Sequence, residues 1–187
     1  MTSRAERFTR TYITGFMASG KSTVGPLLAA ALGRRFIDLD AVIESKEGES
    51  IPEIFRRRGE PDFRSLERRE LGLLAARSGI VVATGGGALT DPGSMAIVRD
   101  SGVLVYLELP LETLLARLRG KTGRPMITAD DGSPLDEAHL RERVTSLLRV
   151  REPAYRQADI IVDSGSVSPG ETVSLIMKSL RTLSVHA

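Results

Sequence analysis

Apolar positions change period several times along this chain, and each change marks an element. Residues 1–10 are polar and Arg-rich without periodicity and read as a frayed, disordered tail. Tyr12-Ile13-Thr14 is a short β-prone run that ends in glycine. From Lys21 onward, Val24, Leu27, Leu28, Ala31 and Leu32 recur with the spacing of one helix face. Gly33 stands where such a helix ends in a left-handed residue, and Pro26, past the first turn, predicts a local bend. Phe36-Ile37-Asp38 reads as a strand, and a charged stretch with helical spacing covers 41–74. Ile80-Val81-Val82-Ala83 and Val103-Leu104-Val105-Tyr106-Leu107 are continuous apolar runs beside glycines, which suits strands buried on both faces. Helical spacing returns over 111–118, 138–150 and 171–183, with a strand at Ile160-Ile161-Val162 before the last of these. Residues 121–134 form a Gly-, Pro- and Asp-rich loop.

Short buried-type strands alternating with helices predict an α/β fold: a central five-stranded parallel sheet flanked by helices in three layers. No repeat, low-complexity segment or linker interrupts 1–187, so one domain is expected. Composition narrows the function classes. With no Cys and two His among 187 residues, disulfides, thiolate catalysis and Cys- or His-rich metal cages are excluded. No apolar run approaches a membrane span, and no apolar stretch backs the N-terminal charges as in a secretory signal, so a cytoplasmic protein without membrane contact is expected. The cations are 22 Arg and 4 Lys against 24 acids. Arginine bias can signal oxyanion or nucleic-acid recognition. Three Tyr, five Phe and no Trp offer few stacking platforms, and the acids nearly match the cations, so nucleic acid is not an expected partner.

Gly15-Phe16-Met17-Ala18-Ser19-Gly20-Lys21-Ser22 matches G-x-x-x-x-G-K-[ST] between an expected strand and an expected helix. Glycines let the backbone curl so that successive N–H groups face a phosphate, and the helix start adds its positive dipole end. Lys21 supplies a full charge to the outer phosphates and Ser22 a hydroxyl for Mg²⁺, which predicts a P-loop kinase fold binding a nucleotide. Two acids, Asp38 and Asp40, stand at i and i+2 near the end of a strand. One reading gives them Mg²⁺ and an acceptor hydroxyl; the other makes Asp40 the cap of the helix that follows.

Further along stand Ile43-Glu44, Glu53-Ile54-Phe55, Gly59-Glu60, Phe63-Arg64 with Glu67, Gly85-Gly86-Gly87, Arg124-Pro125 and Arg151-Glu152-Pro153-Ala154-Tyr155. In these motifs and their order, from about Tyr12 to the last helix, the chain resembles the shikimate kinase family. Ala18 departs from the Gly expected there, and Met126-Ile127 from Leu-Leu, neither removing a charged group. The resemblance implies transfer of the ATP γ-phosphate to the 3-hydroxyl of shikimate, with Mg²⁺ as cofactor, by a monomer. It implies that Asp38 is the Mg²⁺-side acid, acting through water, together with Ser22. Asp40 contacts the acceptor hydroxyl, and Lys21, Asp40 and Arg124 are catalytic. Arg64 and Arg151 bind the shikimate carboxylate with Glu67 in support, and Gly85, Gly86 and Gly87 approach the substrate. Gly15, Ala18, Ser19, Gly20, Ser22 and Thr23 hold the nucleotide phosphates, and Arg117 and the Ser168-Pro169 loop lie near the adenine. Residues 41–74 become a substrate-binding segment, and 121–134 a lid with few buried contacts that carries Arg124.

Kinases for gluconate or a nucleoside monophosphate explain Gly15 to Ser22 equally well but give Asp40, Arg64 and Arg151 no shared task. Arg56-Arg57-Arg58, Arg68-Arg69 and His139 read as solvated surface.

Overall fold

Residues 4–120, 125–128 and 133–185 are described by this computed structural model. Five strands form one parallel sheet: β1 (Arg10–Thr14), β2 (Arg35–Asp38), β3 (Ile80–Ala83), β4 (Val103–Glu108) and β5 (Ile160–Asp163), in the order β2-β3-β1-β4-β5. Adjacent residues of the inner strands point to opposite faces, and both faces are covered. Tyr12, Val82 and Leu104 pack with Leu71, Leu74 and Val98, from helices α4 (Ile51–Ala75) and α5 (Pro92–Ser101). Ile13, Val81 and Val105 pack instead with Leu28, Ile176 and Leu180, from α2 (Lys21–Leu32) and α8 (Pro169–Val185). This is why the inner strands read as continuous apolar runs, whereas the edge strand β5 alternates buried and exposed positions. A third cluster joins Phe16 and Tyr106 to α6 (Leu111–Leu118) and α7 (Glu137–Tyr155) through Leu114, Val144 and Tyr155.

Register positions the chemistry. Asp38 pairs with Ala83, and Ala83 with Ile13, so β2, β3 and β1 end level with one another. The two acids, the glycine turn and the phosphate loop therefore emerge side by side at the carboxyl ends of the strands, where open α/β sheets bind ligands.

Three expectations change. Residues 4–10 do not fray. Arg4–Arg7 is a helical turn, α1; the Arg7 guanidinium bonds Asp159 at 2.9 and 3.0 Å, and buried Arg10 donates to the carbonyls of Ser101 and Arg77. The stretch over 41–74 is two helices, α3 (Leu39–Glu47) and α4, separated at Gly48 by its left-handed φ of 68°. A Ser50/Glu53 capping box restarts the chain, and α4 kinks at Gly59 (φ 78°, ψ 174°). α2 continues through Pro26 as one helix, where the proline forfeits a single intrahelical bond. Helix α5 has no counterpart among the expected elements; its signals were Asp91, which caps Ser94 N–H, and Pro92 at the first helical position. Of the arginines read as solvated, Arg56, Arg57, Arg68 and Arg69 are exposed, and the surface pairs of Arg58 and Arg69 with Glu47 link α4 to the end of α3.

Candidate active site

The phosphate loop starts directly from β1. Gly15, with φ 146°, lies where a Cβ would come within 2.8 Å of both the Leu107 carbonyl and Ser19 Oγ, so no side chain fits. Gly20 precedes α2 without a side-chain cap, leaving the first-turn donors for an anion. Lys21 Nζ folds back onto the carbonyls of Gly15 at 2.7 Å and Phe16 at 3.0 Å. Ala18 is the one non-glycine residue with positive φ (63°) among those described. It holds an αL conformation that costs an L-residue roughly 1–2 kcal/mol, strain that the loop stores where glycine was expected. Its carbonyl accepts Arg117 Nη1 at 3.1 Å. Arg117 also lines a hollow with Ser19, Thr23 and Pro169, so the residues expected beside the base share one cavity. Pro169 opens α8, where Ser168 and Glu171 bond each other's backbone N–H.

The two readings of Asp40 separate here. The cap of α3 is Asp38, whose Oδ1 accepts the N–H of Asp40 at 3.0 Å and of Ala41 at 3.4 Å. Asp38 closes β2 and Asp40 sits in the first helical turn, so they do not share a face by strand alternation. Because Asp38 does the capping, the Asp40 carboxylate is free to face the cavities. One cavity collects Lys21, Ser22, Asp38 and Asp40 with Thr23 and Arg117. Among the described residues no three His, Cys, Asp or Glu converge as a metal cage. Ser22 and the remaining Asp38 oxygen nonetheless fit Mg²⁺, which takes few protein oxygens and completes its shell with phosphates and water.

A second cavity, of about 300 Å³, is lined by Asp40, Arg64, Glu67, Arg151 and the three glycines, with Phe55, Phe63 and Met126. Arg64 reaches it from the part of α4 beyond the kink, its guanidinium bonding Glu67 at 2.5 Å and Glu60 at 2.7 Å. Arg151 comes from α7, is 6% exposed, and stands over the Phe16 ring at 5.7 Å. Each glycine makes room for a charged group. A Cβ at Gly85 would lie 2.5 Å from Glu67 Oε1 and 2.8 Å from Asp40 Oδ1; at Gly86, 3.4 Å from Arg151; at Gly87, 2.8 Å from the Arg64 guanidinium carbon.

Burial pushes the Glu67 carboxyl up to about 7 although Arg64 pulls it down, and burial with the Asp38 charge pushes Asp40 up to about 6 against Lys21 and Arg64. Desolvation opposes the Arg64 charge, but Glu67 and Glu60 outweigh it and raise its pKa. Asp40 Oδ1 and Glu67 Oε1 are both buried without a hydrogen-bond partner. Two orphaned acceptors beside two guanidinium groups call for a ligand that brings hydroxyl donors and an anion together.

Arg124 lies outside the described residues, as does most of 121–134. What is described there is better anchored than its composition predicts: Ile127 is 1% exposed, Thr128 bridges Pro134, and Arg143 holds the Met126 carbonyl at 2.9 Å. Phe55, Phe63 and Met126 were not expected as cavity walls; the signal for the two phenylalanines was their place inside the Glu53-to-Glu67 motif.

A family model described as shikimate kinase matches residues 17–181. A shikimate kinase from Salinibacter ruber is 47% identical over 156 residues, covering 83% of this chain and 76% of that protein. One from Chlorobium chlorochromatii is 42% identical over 180 residues, covering 94% of this chain and 95% of that protein. The solved structure of the Acinetobacter baumannii shikimate kinase in complex with shikimate superposes with a TM-score of 0.85 at 33% identity, covering 95% of this chain and 96% of that one. A phosphate loop, a cavity beside it lined by two arginines and two carboxylates, and likeness over nearly the whole length lead to one conclusion: this chain belongs to the shikimate kinase family.

Proposed function

We propose that this chain transfers the γ-phosphate of ATP to the 3-hydroxyl of shikimate, giving shikimate 3-phosphate and ADP on the route to aromatic amino acids. The observation that carries the reading is that Asp40 lines both cavities, the one at Lys21 and Ser22 and the one at Arg64 and Arg151. A hydroxyl bonded to Asp40 therefore lies beside the outer phosphate position. Arg64 and Arg151 take the shikimate carboxylate from two different helices, which fixes the ring, and Glu67 supports Arg64 and accepts a ring hydroxyl through Oε1. Lys21 neutralises charge on the transferring phosphoryl group, and Asp40 orients the acceptor and takes its proton. Ser22, and Asp38 through water, would hold Mg²⁺, which would supply neutralising positive charge at the outer phosphates.

Arg124 acts from a lid over 121–134, and 41–74 is the substrate-binding segment of a single domain. In this reading the chain works as a cytoplasmic monomer. Among the described residues no helix is long and apolar enough to cross a membrane. ADP release measured with shikimate, gluconate and a nucleoside monophosphate as acceptors tests the reading. Turnover with shikimate alone is expected; equal turnover of either competitor would overturn it.

Gly87→Ala separates site geometry from folding. Its Cβ meets the far end of the Arg64 side chain, not backbone, and φ at Gly87 is −112°, so the strain falls on the Arg64 guanidinium and the stability loss stays below the ~3 kcal/mol of breaking its buried pair with Glu67. The displaced guanidinium nonetheless raises the KM for shikimate, by roughly tenfold for one weakened charge-assisted bond. Steady-state kinetics together with thermal melting check both halves; a lowered melting temperature with an unchanged KM would contradict them.

A further inference from the structure

Arg151 and the glycine turn arrive at the cavity from segments far apart in sequence, and something has to hold them in register. The turn's carbonyls are already engaged: Gly85 O accepts Ala88 N–H at 3.1 Å and Gly87 O accepts the Thr90 hydroxyl at 2.7 Å, both local bonds. Gly86 O is held from outside, by the hydroxyl of Tyr155 at the end of α7. Tyr155 lies one helical turn after Arg151, on the same side of α7. It is 1% exposed, and its ring packs on Tyr106 with centroids 5.1 Å apart.

We propose that Tyr155 is a positioning residue for shikimate: its hydroxyl, bonded to Gly86 O and lying beside the Arg151 guanidinium, locks the carboxylate-binding arginine to the glycine turn. This role rests on the shikimate reading of the cavity. Two further observations support it. Burial raises the Tyr155 hydroxyl well above the usual phenol range, with the charge and hydrogen bond of Arg151 pulling the other way, so the proton stays on the oxygen and is donated to Gly86. At Gly86 a Cβ would stand 3.4 Å from Arg151 Nη1, so a small shift of the turn is felt directly by the guanidinium. Tyr155 touches no reacting atom; it acts through Arg151 and Gly86.

The test compares initial rates of the unaltered enzyme with Tyr155→Phe, which keeps the ring and removes only the hydroxyl. The KM for shikimate should rise about five- to tenfold, the effect of one lost hydrogen bond in a buried network, while kcat and the KM for ATP stay within about twofold. Tyr106→Phe, which removes the hydroxyl of the other ring in the pair, should leave all three unchanged. In an Arg151→Lys background, Tyr155→Phe should add less than about twofold, because the guanidinium it positions is gone. The role is overturned by an unchanged shikimate KM, by parallel rises in both KM values, or by a full additive effect in the Arg151→Lys background. Failure of the unaltered enzyme to turn over shikimate at all would instead sink the reading of the cavity, and this role with it.

Discussion

Asp40→Asn is expected to lower kcat about 10²- to 10³-fold, the lower part of the range for losing a positioned proton acceptor, and to leave the KM for shikimate within a few-fold. Asparagine keeps the size of the side chain and one acceptor oxygen, so the hydroxyl stays oriented; the charge that takes its proton is lost. The lower part of the range applies because phosphoryl transfer proceeds through a loose transition state that asks little of a base. The pH profile supplies the second half of the test. With the Asp40 carboxyl pushed up to about 6 in the free enzyme, kcat/KM for shikimate should climb as pH rises through 6 and level off above it. In Asp40→Asn that limb should disappear. A fall in kcat of less than about fivefold with the limb intact would reduce Asp40 to an orienting group.

Arg64→Ala should raise the KM for shikimate about a hundredfold or more, with kcat within about threefold. Loss of two charge-assisted bonds to a carboxylate, each worth roughly 1.5–3 kcal/mol, sets the size. The split follows from geometry, because the carboxylate lies away from the reacting hydroxyl and binds alike in ground and transition states. The substitution also strands Glu67, which is fully buried and paired to Arg64 at 2.5 Å. At pH 8 this should cost about 3 kcal/mol of stability, the low end for breaking a buried pair. The pH sign is definite. The Glu67 pKa is already raised to about 7, and removing its cation raises it further. The cost is therefore fully present where Glu67 must ionise and shrinks as pH falls and the carboxyl takes up a proton. Denaturant melts of the two proteins at pH 5 and pH 8 check this; an equal loss at both would show that Glu67 is not the group left stranded. A large fall in kcat with an unchanged shikimate KM would remove Arg64 from carboxylate binding.

Much of the architecture was legible because the inner strands are buried on both faces, and a run such as Val103 to Leu107 carries that information by itself. The N-terminal segment was misread for a complementary reason. Arg7 and Arg10 look solvated in a linear reading, yet their partners Asp159, Ser101 and Arg77 come from the far side of the sequence. Over 41–74, helical spacing continued on either side of the interruption, and only the φ values at Gly48 and Gly59 mark the turn and the kink.

The sequence alone determined the phosphate site, because its glycines, its lysine and the start of its helix are contiguous and the chemistry is carried by local backbone. It also determined which side chains were candidates for the acceptor site. Tertiary structure decided where each of them stands and what it is bonded to. It made Asp38 the cap and so freed Asp40, brought Arg64 and Arg151 to one cavity, and left two carboxylate oxygens buried without donors. It also set Tyr155 against a carbonyl 69 residues away. Spacing along a chain reports burial and local bonding, whereas a carboxylate's charge, its desolvation and its free lone pairs depend on neighbours that only the folded chain supplies.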